Sequence, residues 1–346
     1  MDSRDVAGLL LLTVTTACGA RTALPSDGNG ADDSAAGSAS SSGGAPSCTL
    51  TIDAMATAVP SLIAEGERIY YVATEGRVMS ADADTGATTL LAQIPVQALN
   101  PTISLALDAD WLYFTFMGEK DGWPGLWRIP KAGGVPEHIA SGRIDNIFVD
   151  ETGLYWTNFL PYEAKHEVFR RRPDGTTLSL GVTDKNYGYL RGIFRGTAGL
   201  LVPSGTTFFA FDIDGAGATT ISDVVGHISH PFERDGALFF NVDIATPPRG
   251  FFRASLDGTM AQQLYEGPFE RVITDGVSWV LSSSKDGEYA IFGASYPDGK
   301  SSVVYHSPID NSPRAVALTP TRLVLGAAWW EWETGIRSLC RDALGL

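Results

Sequence analysis

The chain has 346 residues, 44% of them hydrophobic, and its 40 acidic against 25 basic side chains leave a formal net charge of −15. That balance disfavours nonspecific nucleic-acid binding, which needs clustered Lys and Arg to neutralise phosphates. The 38 glycines and 19 prolines exclude a mainly helical chain and point to one rich in turns.

The first feature is the apolar run Val6–Ala17 (VAGLLLLTVTTA), too short to span a bilayer and followed at once by Cys18. A short apolar run ending in small residues reads as a secretion signal. TTAC resembles the lipobox of bacterial lipoproteins, in which the cysteine is lipidated and becomes the new N-terminus. The expectation is therefore a signal peptide over 1–17, a lipidated Cys18 and attachment to the outer membrane, on its periplasmic or cell-surface side. Cleavage at Ala17 or Ala20 without a lipid is the alternative. Gly19–Ser47 is rich in Ser, Gly, Ala and Asp. It has too little apolar bulk to fold, and reads as a tether with a reach of about 30 Å.

From residue 48 onward one unit is written repeatedly. In Asp145–Val182 it consists of a short apolar run, a turn, an aromatic run, a loop, an apolar-basic run, an Asp-Gly turn and a Thr/Leu run. That is four strands joined by three turns. The second strand recurs as IYYVA from Ile69, LYFTF from Leu112, LYWTN from Leu154, LLVPS from Leu200, LFFNV from Leu238, VSWVL from Val277 and LVLGA from Leu323. The hairpin between third and fourth strands recurs at Gly86, Gly134, Gly175, Gly215, Gly258 and Gly299, at intervals of roughly 40–48 residues. A four-stranded unit of this length is a β-propeller blade. The spacing predicts an all-β, seven-bladed propeller over 48–346, with six blades as the alternative if a degenerate module such as Leu190–Val224 forms none.

Seven second strands stand against six hairpins. The unit beginning at Ala315 ends at Leu346 without a fourth strand, while Cys48–Asp53 (CTLTID) is a strand pattern with nothing before it to pair with. The head strand is expected to complete the last blade, which removes an open edge. Aligning Ile336 with Val168 puts Cys340 at the end of a third strand, opposite Cys48. Such hairpin positions lie within disulfide range, and an exported chain meets an oxidising compartment. Two unrelated thiols are the alternative.

LYWTN at Leu154–Asn158 is similar to the YWTD repeat of receptor propellers. Residues 48–346 as a whole resemble TolB-like and YWTD-like propeller domains in the setting of a Gram-negative lipoprotein. The resemblance implies architecture and leaves the ligand open.

Propeller geometry puts the first–second turns and the Asp-Gly hairpins on one face. The second–third loops and the inter-blade links share the other. The second set is longer and more irregular: Met117–Leu126, Phe159–Glu167, Asp243–Gly250, Ser282–Tyr289 and Ala328–Gly335. Irregular loops on a repetitive scaffold are where recognition usually lives. They carry Trp123, Pro161, Tyr162, Arg249, Lys285, Trp329, Trp330 and Trp332, residue types enriched at binding hot spots. A second candidate lies where the first strands begin around the central bore: Ser61, Thr102, Asn146, Arg191, His230, Arg271 and Arg314. Three arginines there would suit a carboxylate or phosphate, unless Asp145 and Glu270 neutralise them.

Catalytic patterns are weak. His227 and His230 form an HxxH without a helix or a third ligand, Ser282–Lys285 an SxxK in a polar stretch, and Asp82-x-Asp84-x-Gly86 a turn. Glu163, His166 and Glu167 share one predicted loop and could do acid–base chemistry, although a solvated polar loop is the simpler reading. The expected function is a non-enzymatic recognition module for an envelope protein, peptide or glycan. The alternative is a hydrolase or lyase acting on an anionic polysaccharide or small anionic substrate. Neither a metal nor a cofactor is expected.

Overall fold

The computed structural model describes residues 48–346 except 55, 57–58, 74, 95–103, 117–123, 161, 164, 184–191, 206, 216, 224–227, 243–248, 257–260, 268, 275–277, 286–287, 296–300, 309–312, 314, 327–334 and 345. The signal segment, Cys18 and the tether predicted over 1–47 lie outside the described residues.

Seven four-stranded antiparallel sheets form the blades of a β-propeller. Blades 1 to 6 span residues 62–93, 105–141, 144–182, 194–223, 228–266 and 269–308. Blade 7 combines 315–340 with the head strand Thr49–Asp53. Blades 1 to 6 run outward in chain order, blade 7 takes the head strand as its outermost, and innermost strands meet innermost strands around the bore. The degenerate module forms blade 4 as a full four-stranded sheet, so the count is seven.

Ring closure is made by the two ends of the chain. Thr49 pairs with Leu339 and Leu50 with Ser338, and the Cys340 amide donates to the Cys48 carbonyl at 3.0 Å. Cys48 and Cys340 form a disulfide across this seam, with Cα atoms 5.2 Å apart.

The hydrophobic core is divided among the seams. Each pair of neighbouring blades shares one buried cluster, from Tyr71, Met79, Val324 and Ile336 between blades 7 and 1 to Val280, Ile291, Leu323 and Leu325 between blades 6 and 7. The alternation of the strands accounts for this, because each blade presents both faces to neighbours and so buries both sets of side chains.

One irregularity repeats in all seven blades. Where the third strand pairs with the outer strand, the register skips a single residue: Leu91, Ile139, Leu180, Ile221, Leu264, Val304 and, in the closing strand, Ile52. Every skipped residue is aliphatic, and every one packs into the cluster shared with the following blade. A bulge of this kind bends and twists the outer strand. It serves two ends here: it fills the widening seam at the rim and makes each exposed edge a poor template for a further strand.

The face bearing the short turns is cross-linked between blades. Lys131 Nζ lies 2.6 Å from Glu65 Oε1, and Arg322 Nε lies 2.7 Å from Asp84 Oδ1. The nearly buried Arg170 donates to the Thr152 and Ile213 carbonyls and to Asp214. The Asp82–Gly86 segment is a turn held by its own side chain, Asp82 Oδ1 accepting from the amides of Asp84 and Thr85. These bonds hold the Asp82 carboxyl below its ordinary range.

On the same face Tyr113 donates to Asp108 at 2.6 Å. Burial first, then that carboxylate, pushes its phenol up to about 12. In the unfolded chain this tyrosine loses its proton near pH 10, so the folded state binds more protons between pH 10 and 12 and stability falls as pH rises through that window. Urea midpoints measured from pH 9 to 12 should fall more steeply for the wild type than for Tyr113→Phe. Parallel curves would exclude this origin.

Candidate functional site

The end of the bore opposite the short turns is where the innermost strands depart from regular pairing. In blade 3 the register skips Asp145, between the pairs Ile144–Asn158 and Asn146–Thr157. In blade 6 it skips Glu270, between Phe269–Ser283 and Arg271–Ser282. In blade 5 it breaks between Ser229–Asn241 and Phe232–Phe239, leaving His230 and Pro231 against Phe240. The innermost strands of blades 1, 2, 4 and 7 pair without a break. Bulges concentrate beside functional sites because they re-aim side chains.

His230 has φ of 49°, one of two non-glycine residues among the described ones with positive φ. That conformation costs free energy for any residue with a Cβ, and its neighbour Pro231 locks the following backbone.

Polar side chains stitch the blades together around this mouth. Ser104 of blade 2 accepts from the Ile147 amide of blade 3 at 3.3 Å. Asn146 of blade 3 accepts from the Gly192 amide, leading into blade 4, at 2.8 Å. Gly192 has φ of 113°, and a Cβ there would stand 2.9 Å from Pro231 Cδ, so only glycine permits the close approach to blade 5. The Asn241 side-chain amide donates to Ser229 at 3.3 Å and also to the Phe269 carbonyl of blade 6. Two predicted bore residues, Asn146 and His230, are thus brought together on either side of Gly192. Arg271 sits at the blade 6 bulge, whereas Arg191 and Arg314 lie outside the described residues.

Asp145 takes a different place from the one expected of it. Its carboxylate accepts from His166 Nε2 at 3.2 Å, and its other oxygen lies 3.7 Å from Arg143 Nε. His166 is fully buried and packs on Phe159, with ring centroids 5.1 Å apart. The Arg143 guanidinium lies over the same Phe159 ring, 4.6 Å from its centroid.

The loop predicted over Phe159–Glu167 is correspondingly shorter. Strands Gly153–Leu160 and Lys165–Arg171 pair out to Leu160–Lys165. His166 and Glu167 therefore point to opposite sides of the strand, and Glu167 accepts from Ser179 at 2.7 Å. The acid–base cluster drawn from one loop does not assemble. Blade 6 behaves alike: its hairpin pairs out to Lys285–Glu288, so SxxK lies along a strand. Tyr162 stands at the tip of the blade 3 hairpin with 103% relative exposure. Trp123, Trp329, Trp330 and Trp332 lie outside the described residues. Among the described residues no group of three or more His, Cys, Asp or Glu could hold a metal ion.

The bulges and the Asp145–His166 pair were not read from the sequence. The available signal was an acid directly before the bore column in two blades, Asp145 before Asn146 and Glu270 before Arg271.

The ring, its seven blades and its head-to-tail closure define a β-propeller. No protein-family model matches the chain, and no curated protein matches it. Solved structures do. YCF48 bound to D1 peptide aligns over 84% of this chain and 94% of its own, with a TM-score of 0.59 at 12% identity. A puromycin hydrolase aligns over 80% of this chain but 52% of its own, with a TM-score of 0.58 at 15% identity. The computationally designed Ika8 protein aligns over 84% and 98%, with a TM-score of 0.53 at 12% identity. At these identities the likeness is one of fold, and the neighbours differ in function.

Proposed function

We propose that the chain is an exported recognition module, akin to TolB-like and YWTD-like propellers and anchored to the outer membrane through Cys18, that binds an envelope protein, peptide or glycan at the mouth of its bore. The observation that carries this reading is the asymmetry of the two faces. The short-turn face is tied blade to blade by ion pairs and carbonyl bonds. The mouth carries three innermost-strand bulges and a hairpin, paired out to Leu160–Lys165, that holds Tyr162 fully in solvent. A tyrosine has only two side-chain torsions to fix, so it loses little entropy on binding, which suits a hot spot. That YCF48 is seen with a peptide agrees with propellers being used in this way.

The test uses the 46–346 unit as bait against envelope extract, with captured partners quantified by mass spectrometry. Tyr162→Ala should reduce specific capture about tenfold or more, the scale of one hot-spot residue. Val135→Ala alters an 84% exposed side chain on a third–fourth hairpin of the opposite face and should leave capture unchanged. Capture lost with Val135→Ala and kept with Tyr162→Ala would place recognition on the wrong face. Turnover of an anionic polysaccharide by the same unit would favour the enzymatic alternative.

A further inference from the structure

The two sulfurs of the ring-closing bond have unequal surroundings. From the rim inward, the closing blade runs Thr49–Asp53, Ile336–Cys340, Arg322–Gly326. Arg322 is the ladder partner of Cys340, and its Nη1 lies 3.2 Å from Cys340 Sγ. Cys48 stands on the outer side of Cys340, its carbonyl accepting from the Cys340 amide. Among the described residues none donates to Cys48 Sγ. Neither cysteine is sealed in the core, for both are half-buried.

The guanidinium beside Cys340 is fixed from the neighbouring blade. Arg322 Nε donates to Asp84 of blade 1 at 2.7 Å, and its side chain is 16% exposed, so solvent screens it little. Asp84 is shared, since it also accepts from the Thr321 hydroxyl at 3.0 Å. Glu67 accepts from the hydroxyls of Thr319 and Thr321. Arg341, next to Cys340 in sequence, donates to the Thr319 carbonyl at 2.9 Å. The cationic N–H directed at sulfur is therefore that of Arg322.

Thiol–disulfide exchange proceeds by in-line attack of a thiolate on one sulfur while the other departs as a thiolate, and the better-stabilised thiolate departs faster. Attack on Cys340 Sγ has to come from the side away from Cys48, which by strand order is the side of Arg322. Attack on Cys48 Sγ comes from the outer edge and expels Cys340 against a charged donor. We propose that Cys48 is the sulfur that exchanges with an outside dithiol, and that Arg322 makes Cys340 the leaving and resolving thiolate. The first thiolate of the dithiol bonds to Cys48 Sγ as the Sγ–Sγ bond breaks, leaving its electron pair on Cys340. The second thiolate attacks the first sulfur, forms the reagent's own disulfide and releases Cys48 as a thiolate. Two electrons pass from the dithiol to the cysteine pair, and the dithiol's two protons go to the released thiolates or to water. Run backwards with an oxidised partner of the same class, the sequence closes the ring: the mixed disulfide forms on Cys48 and Cys340 resolves it. This chemistry is independent of the recognition role and is tested without a ligand.

Reduced glutathione is the probe, used on the folded full chain carrying Cys18→Ser so that no third thiol competes. Opening at pH 7.5 is sampled at early times, free thiols are capped with an alkylating agent, and peptides are mapped by mass spectrometry. Glutathione on Cys48 with the cap on Cys340 should outnumber the reverse product by about tenfold. Arg322→Gln, which removes the charge, should slow opening about fivefold and erase most of the preference, the scale of a charged donor on a partly charged leaving sulfur. A merely structural role would act the other way, because losing the tie to Asp84 loosens the seam and speeds opening. Asp84→Asn keeps the guanidinium and should keep the preference for Cys48. Equal labelling of the two cysteines in the wild type overturns the proposal, as does Arg322→Gln with an unchanged rate and product ratio. Should Arg322→Gln fail to fold, Asp84→Asn decides: a preference kept there supports the assignment, and one lost there shows that the tie between blades, not the charge, selects the sulfur.

Discussion

Opening the Cys48–Cys340 bond, by reductant or by Cys340→Ser, should lower the thermal midpoint by up to about 8–10 °C. The bond spans 292 residues, so in the chain-entropy view it removes most of the freedom of the unfolded ring, and the term reaches about 5–6 kcal/mol as an upper value. For a domain near 300 residues, an unfolding entropy of about 2 cal/mol/K per residue converts that energy into the quoted shift. The native contacts of the seam survive reduction, because Thr49–Leu339 and Leu50–Ser338 remain paired. The expected signature is an earlier transition with an unchanged near-ultraviolet spectrum at room temperature. A shift below about 2 °C would mean that the strand pairing alone determines closure, and that the unfolded chain is already compact.

Asp53→Ala is the second large effect, at about 2–4 kcal/mol of stability. Asp53 ends the closing strand and is buried. It accepts from the Tyr71 hydroxyl at 2.7 Å and from Arg77 Nη1 at 3.1 Å, both in blade 1. Burial, then the hydrogen bond to Asp53, raises the Tyr71 phenol well above its ordinary value. Removing the carboxylate strands the fully buried Tyr71 hydroxyl, while Arg77 loses one partner and keeps Glu75. The cost lies in stranding that hydroxyl more than in the lost attraction itself. Adding Tyr71→Phe to Asp53→Ala should recover at least half of the loss, measured by urea unfolding. A double variant no more stable than the single one would show that the carboxylate's role is to fix the register of Thr49–Asp53.

The blade count could be read in advance because each second strand is a run of buried aromatics and aliphatics at one spacing, from Ile69 to Leu323. Closure was readable for a simpler reason: CTLTID had no partner ahead of it, and the last unit lacked exactly one strand. The bulges were not. A single extra aliphatic, such as Leu180 in TLSLGV or Ile221 in ATTISD, looks like ordinary alternation until the partner strand is known. The same blindness hid the Asp145–His166 pair. PYEAKHE reads as a polar loop, yet strand pairing continues to Lys165, and His166 is carried to the buried side by the two-residue period. Long-range pairing decides burial there, and local composition does not report it. Arg191, Arg314, Trp123, Trp329, Trp330 and Trp332 lie outside the described residues.

The direction in which the closing strand is threaded has a practical outcome. Thr49–Asp53 is joined at Cys48, beside Thr321, whose carbonyl accepts from the Arg341 amide. Whatever is fused directly at Cys48 therefore attaches at the end of the ring that bears the short turns, away from the mouth. A carboxyl-terminal handle is the worse choice, since the Leu346 side chain lies against Gly293 and packs into the seam between the last two blades.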